Sequence, residues 1–113
     1  MATKQERYEV VLTEDAIQDL EELYSYISVH DAPAKAEHVL AQLEKRVASL
    51  ETLPDRHPVT KELSSVGIRD YRETYFKPYR VIYRVIAQRV YVYVIVDGRR
   101  DMQALLLRRL LRA

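Results

Sequence analysis

The chain contains no cysteine. Disulfide stapling, thiol nucleophiles and thiolate metal sites are therefore excluded, and the absence suits a reducing cytoplasm. Glycine is nearly as scarce, with only Gly67 and Gly98. Two glycines cannot build a loop that cradles phosphates, which removes nucleoside-triphosphate chemistry. The three histidines, His30, His38 and His57, are scattered. No two stand at i, i+4, and none forms a carboxylate cluster at metal-ligand spacing, so neither a metal nor a cofactor is expected. No serine lies in a nucleophile-elbow context, so acyl transfer has no support. The longest apolar run, residues 90–96, is strand-like and far short of the roughly 20 residues that cross a bilayer. Residues 1–9 are polar and charged, unlike a signal peptide.

What is present fits one folded domain spanning residues 1–113, with 48% apolar and 31% charged residues. The formal net charge of +1 conceals an asymmetry. Residues 1–65 carry seven Lys and Arg against thirteen Asp and Glu, a charge of −6, whereas residues 66–113 carry eleven against four, a charge of +7. Ten of those eleven cations are arginine, the exception being Lys77. Arginine's planar fork suits carboxylate and phosphate better than a lysine point charge does. The basic half therefore looks built to meet an anionic macromolecule, although mutual neutralisation of the two halves would also account for it.

Hydrophobic periodicity divides the chain into alternating elements. Residues 8–12 read as a short strand ended by Thr13, a plausible N-cap for a helix with Glu14 and Asp15 in its first turn. Ala16, Ile17, Leu20, Leu23, Tyr24 and Ile27 form its apolar stripe, with Asp15, Asp19, Glu22 and Ser25 opposite. Pro33 opens a second helix, capped by Asp31 or Ala32 and running to about Leu50. The two make an antiparallel hairpin. Pro54 and Pro58 enclose a turn, and a polar stretch follows to Gly67. Strands are expected over residues 68–75, 79–86 and 89–97, the last apolar on both faces and hence central. Val90, Val92, Val94 and Val96 should share one of those faces. Residues 102–113 read as a short helix or tail. The expected fold is α+β, a small twisted antiparallel sheet with the helical hairpin on one face, in the order β-α-α-β-β-β.

The chemistry-bearing residues are arginines. Arg80 and Arg84 lie four apart on one strand and emerge on one face. Arg99 and Arg100 follow the last strand, and pairing of the last two strands would bring Arg100 near Arg80. Such a cluster fits a phosphate or a carboxylate. The plainer reading is a solvated sheet edge paired with Asp97 and Asp101. Tyr79, Tyr83, Tyr91 and Tyr93 fit strand core better than a base-stacking platform.

The segments Pro78-Tyr79-Arg80-Val81-Ile82-Tyr83-Arg84-Val85, Val90-Tyr91-Val92-Tyr93-Val94-Ile95 and Gly98-Arg99-Arg100-Asp101 with a Leu-rich tail resemble the ParE/RelE superfamily of bacterial type II toxins. The resemblance implies a twisted antiparallel sheet beside a helical hairpin. RelE-like members cleave messenger RNA on the ribosome, and ParE-like members inhibit DNA gyrase. Arginines stand at Arg80 and Arg100 where RelE-like nucleases carry theirs. A tyrosine common in the C-terminal segment of those nucleases falls on Leu106, and lysines ahead of the Arg80 strand fall near Tyr71 and Glu73. Leucine moves no proton, so the resemblance implies the ParE branch, a non-enzymatic gyrase inhibitor with no catalytic residues. If the chain were RelE-like instead, Arg80 and Arg100 would be catalytic. The implied partner is a ParD-like antitoxin, held in a hetero-oligomer at a surface containing Arg80, Arg84, Arg99 and Arg100. No membrane association, and no direct nucleic-acid binding by the chain alone, is implied.

Overall fold

The computed structural model describes residues 6–111. Met1–Gln5 and the last two residues of the tail, Arg112 among them, lie outside the described residues. Strand β1 spans Glu9–Leu12, and helix α1 follows over Glu14–His30. Thr13 starts α1 as the sequence predicts, its hydroxyl accepting the Ala16 N–H at 3.2 Å. After a two-residue link, helix α2 spans Pro33–Ala48. Ala32 holds the cap position without a side-chain bond, and Pro33 supplies the fixed φ of the first turn. A single 3-10 turn, Ser49–Glu51, extends this helix to the expected end near Leu50. A second such turn covers Pro54–Arg56, entered through Leu53 at φ 49°.

The polar stretch that follows is not all loop. Helix α3 spans Lys61–Ser64, with Leu63 fully buried. Strands β2 (Tyr71–Phe76), β3 (Tyr79–Ile86) and β4 (Arg89–Asp97) come next, and helix α4 (Met102–Leu110) closes the described chain. Thus β2 starts three residues later than its expected beginning at Ile68, and the tail is a helix capped by the Asp101 carboxylate on Ala104 N–H.

The strand order is β1-β4-β3-β2. β2–β3 and β3–β4 are antiparallel, but β1 runs parallel to β4, so the sheet is mixed and not wholly antiparallel as expected. The reason is that β4, apolar on both faces, occupies the middle and accepts β1 on the side that β3 leaves free. Among the described residues, no helix is long and apolar enough to cross a membrane.

Two cores sandwich the sheet. On one face α1 and α2 pack Ala16, Ile27, Ala36, Val39, Leu43 and Leu50 against Val81, Tyr83, Val90, Val92 and Ile95. On the other, α3 and α4 pack Leu63, Met102, Leu105 and Leu106 against Tyr71, Ile82, Val94 and Val96. The four β4 valines are therefore split, contrary to strict alternation. Ile82 pairs with Val94 and Tyr83 with Val92, so Tyr93 is an extra residue, a β-bulge that turns the rest of the strand over. Burial on both faces hides such a bulge from sequence periodicity.

Candidate functional site

The structure separates the four predicted arginines into three settings. Arg80, on β3 and facing α3, does not point into solvent. Its guanidinium donates to both Glu62 carboxylate oxygens at 2.9 and 2.7 Å and to Glu73 at 2.6 Å. The Arg80 side chain is 14% exposed, and its two carboxylate partners are 15% and 17% exposed. These bonds raise the Arg80 pKa above its ordinary value and hold the Glu62 carboxyl below the usual carboxylate range. One cation thus meets two anions. The Arg80 stem lies across position 98, where an added Cβ would sit 2.5 Å from Arg80 Cδ and 3.1 Å from the Pro78 carbonyl oxygen. Only glycine fits there.

Arg84 stands opposite Tyr71 on one neighbouring strand and Tyr91 on the other. Its guanidinium carbon is 6.0 Å from the Tyr71 ring centre, a cation–π distance. Tyr71 in turn meets Tyr93 edge to face at 5.7 Å. Arg84 pairs with no carboxylate among the described residues.

Arg99 and Arg100 follow the end of β4 and line a groove of about 470 Å³ between α1 and that strand. Leu23, Tyr26 and Ile27 of α1 and Tyr79 of β3 supply its apolar wall, and Asp19 and Glu22 lie at the α1 side. Tyr26 is 62% exposed. Arg99 bonds the Asp97 carboxylate at 2.6 Å, which holds that carboxyl below its ordinary pKa. The Arg100 guanidinium pairs with no carboxylate among the described residues and faces solvent. Leu106, by contrast, is fully buried between α4 and the sheet.

Four functional candidates escape sequence reasoning: Glu62, Glu73, Asp19 and Arg109. Asp19, assigned to the outer face of α1, is 7% exposed. Its carboxylate accepts the Ile95 N–H at 2.9 Å and both terminal nitrogens of Arg109 at 3.1 Å. Arg109 also donates to the Tyr93 carbonyl at 2.9 Å. The inward turn of Asp19 has a physical cause: β4 outruns β1, and its unpaired backbone groups need polar partners. Glu73 lies diagonal to Arg80 across β2–β3, a relation visible once the β2 register is fixed. No local signal in the sequence marks Glu62, Asp19 or Arg109. Among the described residues no cluster of His, Cys, Asp and Glu could hold a metal ion.

This mixed sheet between a helical hairpin and a C-terminal helix is the fold of the RelE/ParE type II toxins. The chromosomal ParDE system of Pseudomonas aeruginosa contains a chain with TM-score 0.68 and 17% identity, covering 80% of this chain and 96% of that one. The RelBE2 toxin–antitoxin complex of Mycobacterium tuberculosis gives TM-score 0.57 at 22% identity, covering 85% and 97%. A free-state mutant of the Escherichia coli toxin RelE gives 0.60 at 18%, covering 87% and 90%. No curated protein matches the sequence. The family model described as ParE toxin of type II toxin-antitoxin system, parDE, matches residues 10–102. The chain belongs to the ParE toxin family.

Proposed function

We propose that this toxin acts by binding DNA gyrase, that it performs no reaction, and that a ParD-like antitoxin silences it in a hetero-oligomer. The observation that carries the reading is the state of Arg80. Metal-free RNA cleavage needs an uncommitted cation to stabilise charge developing on the phosphate, together with groups that move protons. Here that guanidinium is held by Glu62 and Glu73, whose combined charge exceeds its own and repels a phosphate. Where a proton-transferring tyrosine would stand, Leu106 is sealed in the core.

The partner-binding surface is assigned to Arg84, Arg99 and Arg100. Arg80 serves this surface indirectly, by holding α3 and the adjoining turn. The P. aeruginosa neighbour belongs to a ParDE toxin–antitoxin system, which supports a protein partner of that kind. Ribosome-dependent RNA cleavage is the second reading. It is favoured by the solvent-facing Arg100 and by the likeness in fold to RelE. Induction of the chain alone, followed by a supercoiling assay with purified gyrase, separates the two. Stalled, cleaved gyrase complexes with continuing translation are expected. Codon-positioned cuts in messages on translating ribosomes, with gyrase unaffected, would overturn the gyrase reading.

A further inference from the structure

The strand register lines up one row of side chains across the whole sheet. Val11 of β1 stands opposite Tyr91, Tyr91 opposite Arg84, and Arg84 opposite Tyr71, so all four project from the sheet face that carries α3 and α4. The helices stop short of this row. Tyr71 belongs to the core beneath them, but Val11, Arg84 and Tyr91 join neither core and are partly exposed. Ile86, next along β3 on the same face, is 43% exposed. Tyr93 adjoins the row, its ring centre 5.7 Å from that of Tyr71 and 6.5 Å from that of Tyr91. Beside it a hollow of about 420 Å³ opens between the start of α1 and the end of α4, lined also by Thr13, Glu14, Asp15 and Leu110. The three arginines that the strands place on this face differ. Arg80 is held by Glu62 and Glu73, and Arg89 donates to Glu9 at 2.8 Å, whereas Arg84 meets no carboxylate among the described residues.

We infer that this row is the face on which the toxin holds gyrase, separate from the groove beside α1. Tyrosine and arginine are the side chains that most often anchor protein contacts. The arginines Arg80, Arg84 and Arg89 stand with three carboxylates, Glu9, Glu62 and Glu73, so the face offers no basic stripe to a nucleic-acid backbone. A protein segment fits it instead. Apolar side chains of that segment lie on Val11, Tyr91 and Tyr93, one carboxylate meets Arg84, and an anchoring side chain enters the hollow beside Tyr93. The groove with Arg99 and Arg100 lies on the hairpin side of the sheet and begins at Ile95. From Tyr91 to Asp97 the strand runs about 20 Å, and the two surfaces face opposite ways, so one short segment does not reach both. Arg84 thus serves the target, and Arg99 and Arg100 are left to the antitoxin. The inference rests on the gyrase reading above and names the surface by which that target is held.

Its test reads two bindings on the same variants, Arg84→Glu and Tyr91→Ala, each shown by thermal melting to be folded. In supercoiling assays with purified gyrase, about tenfold more of either variant than of the unaltered toxin should be needed for equal inhibition. Their affinity for the purified cognate antitoxin should stay within about twofold of the unaltered value. Tyr91 is partly exposed and outside both cores, so Tyr91→Ala carries the test if Arg84→Glu does not fold. Undiminished inhibition by the folded variants would overturn the face and leave the gyrase reading standing. Parallel losses against gyrase and antitoxin would overturn it by giving the face to the antitoxin. Dimers of the unaltered toxin that Tyr91→Ala dissociates in sedimentation would overturn it by giving the face to a second copy. If the unaltered toxin leaves gyrase unaffected, the gyrase reading falls and this inference falls with it.

Discussion

Single side chains in this toxin are held in place mainly by what they neutralise. His57 sits edge to face with Tyr83 at 6.4 Å, and its Nε2 is buried without a partner. Burial, aided by nearby Arg56, Arg46 and Arg72, lowers its pKa from the usual value. A histidine whose folded pKa is depressed binds fewer protons folded than unfolded, so stability is lost as pH falls below the unfolded value of about 6.5. Glu62, whose pKa is lowered chiefly by the Arg80 bond, adds a second loss with the same sign at lower pH, below about 4.5. Melting temperature should therefore decline in two stages on acidification. His57→Phe should flatten the stage between pH 7 and 5 and leave the second, as thermal scans across that range will test. A slope identical to that of the unaltered protein would exclude His57 as its source. His57 was legible from the sequence only as a turn residue. Its ring is half-buried against Tyr83, whose hydroxyl donates to the Pro54 carbonyl 29 positions away.

Among the elements, α4 is placed by core packing of Met102, Leu105 and Leu106 and is tied to α1 and β4 through Arg109. Arg109, 16% exposed, reaches the α1 carboxylate of Asp19 past the end of β1. Removing Arg109 leaves the Asp19 carboxylate buried and charged, and removing Asp19 leaves Arg109 only the half-exposed Asp15 at 3.6 Å and takes the acceptor from the Ile95 N–H, each costing about 3 kcal/mol. Asp19→Leu and Arg109→Met should each destabilise by about that amount. The double variant should lose much less than their sum, because no stranded charge remains. Denaturant unfolding of the three variants completes the cycle, and additive losses would show that the pair is uncoupled. The elements themselves were largely legible: a cap at Thr13, proline at the start of α2, period-two alternation in β3. Parallel pairing of β1 and the bulge at Tyr93 were not, because a strand buried on both faces shows no alternation to reveal either. The arginine cluster was legible as a composition and not as a geometry, since cross-strand register and the reach of α3 decide which guanidinium is free.

At the scale of the whole molecule, the charge asymmetry becomes two regions of one surface. Acidic residues of α1 and α2 other than Asp19 are exposed or half-buried on the hairpin, while Arg84, Arg99 and Arg100 mark the sheet and its C-terminal loop. An acidic partner is steered by such a field, and steering appears in the association rate and its salt dependence. Replacing Arg99 and Arg100 by Glu should slow antitoxin association by about tenfold or more at low salt and abolish toxicity. The difference should shrink as ionic strength rises past roughly 0.15 M. Stopped-flow association at several salt concentrations measures it, and unchanged rates with intact toxicity would remove both residues from the interface.

β1 supplies four residues against the nine of β4, so the sheet ends on a ragged margin that only a side-chain pair closes. Exposed strand margins recruit other chains, including copies of themselves. Here the Asp19–Arg109 pair caps that margin, so removing it should open the edge to a second copy and lower the concentration at which the protein aggregates.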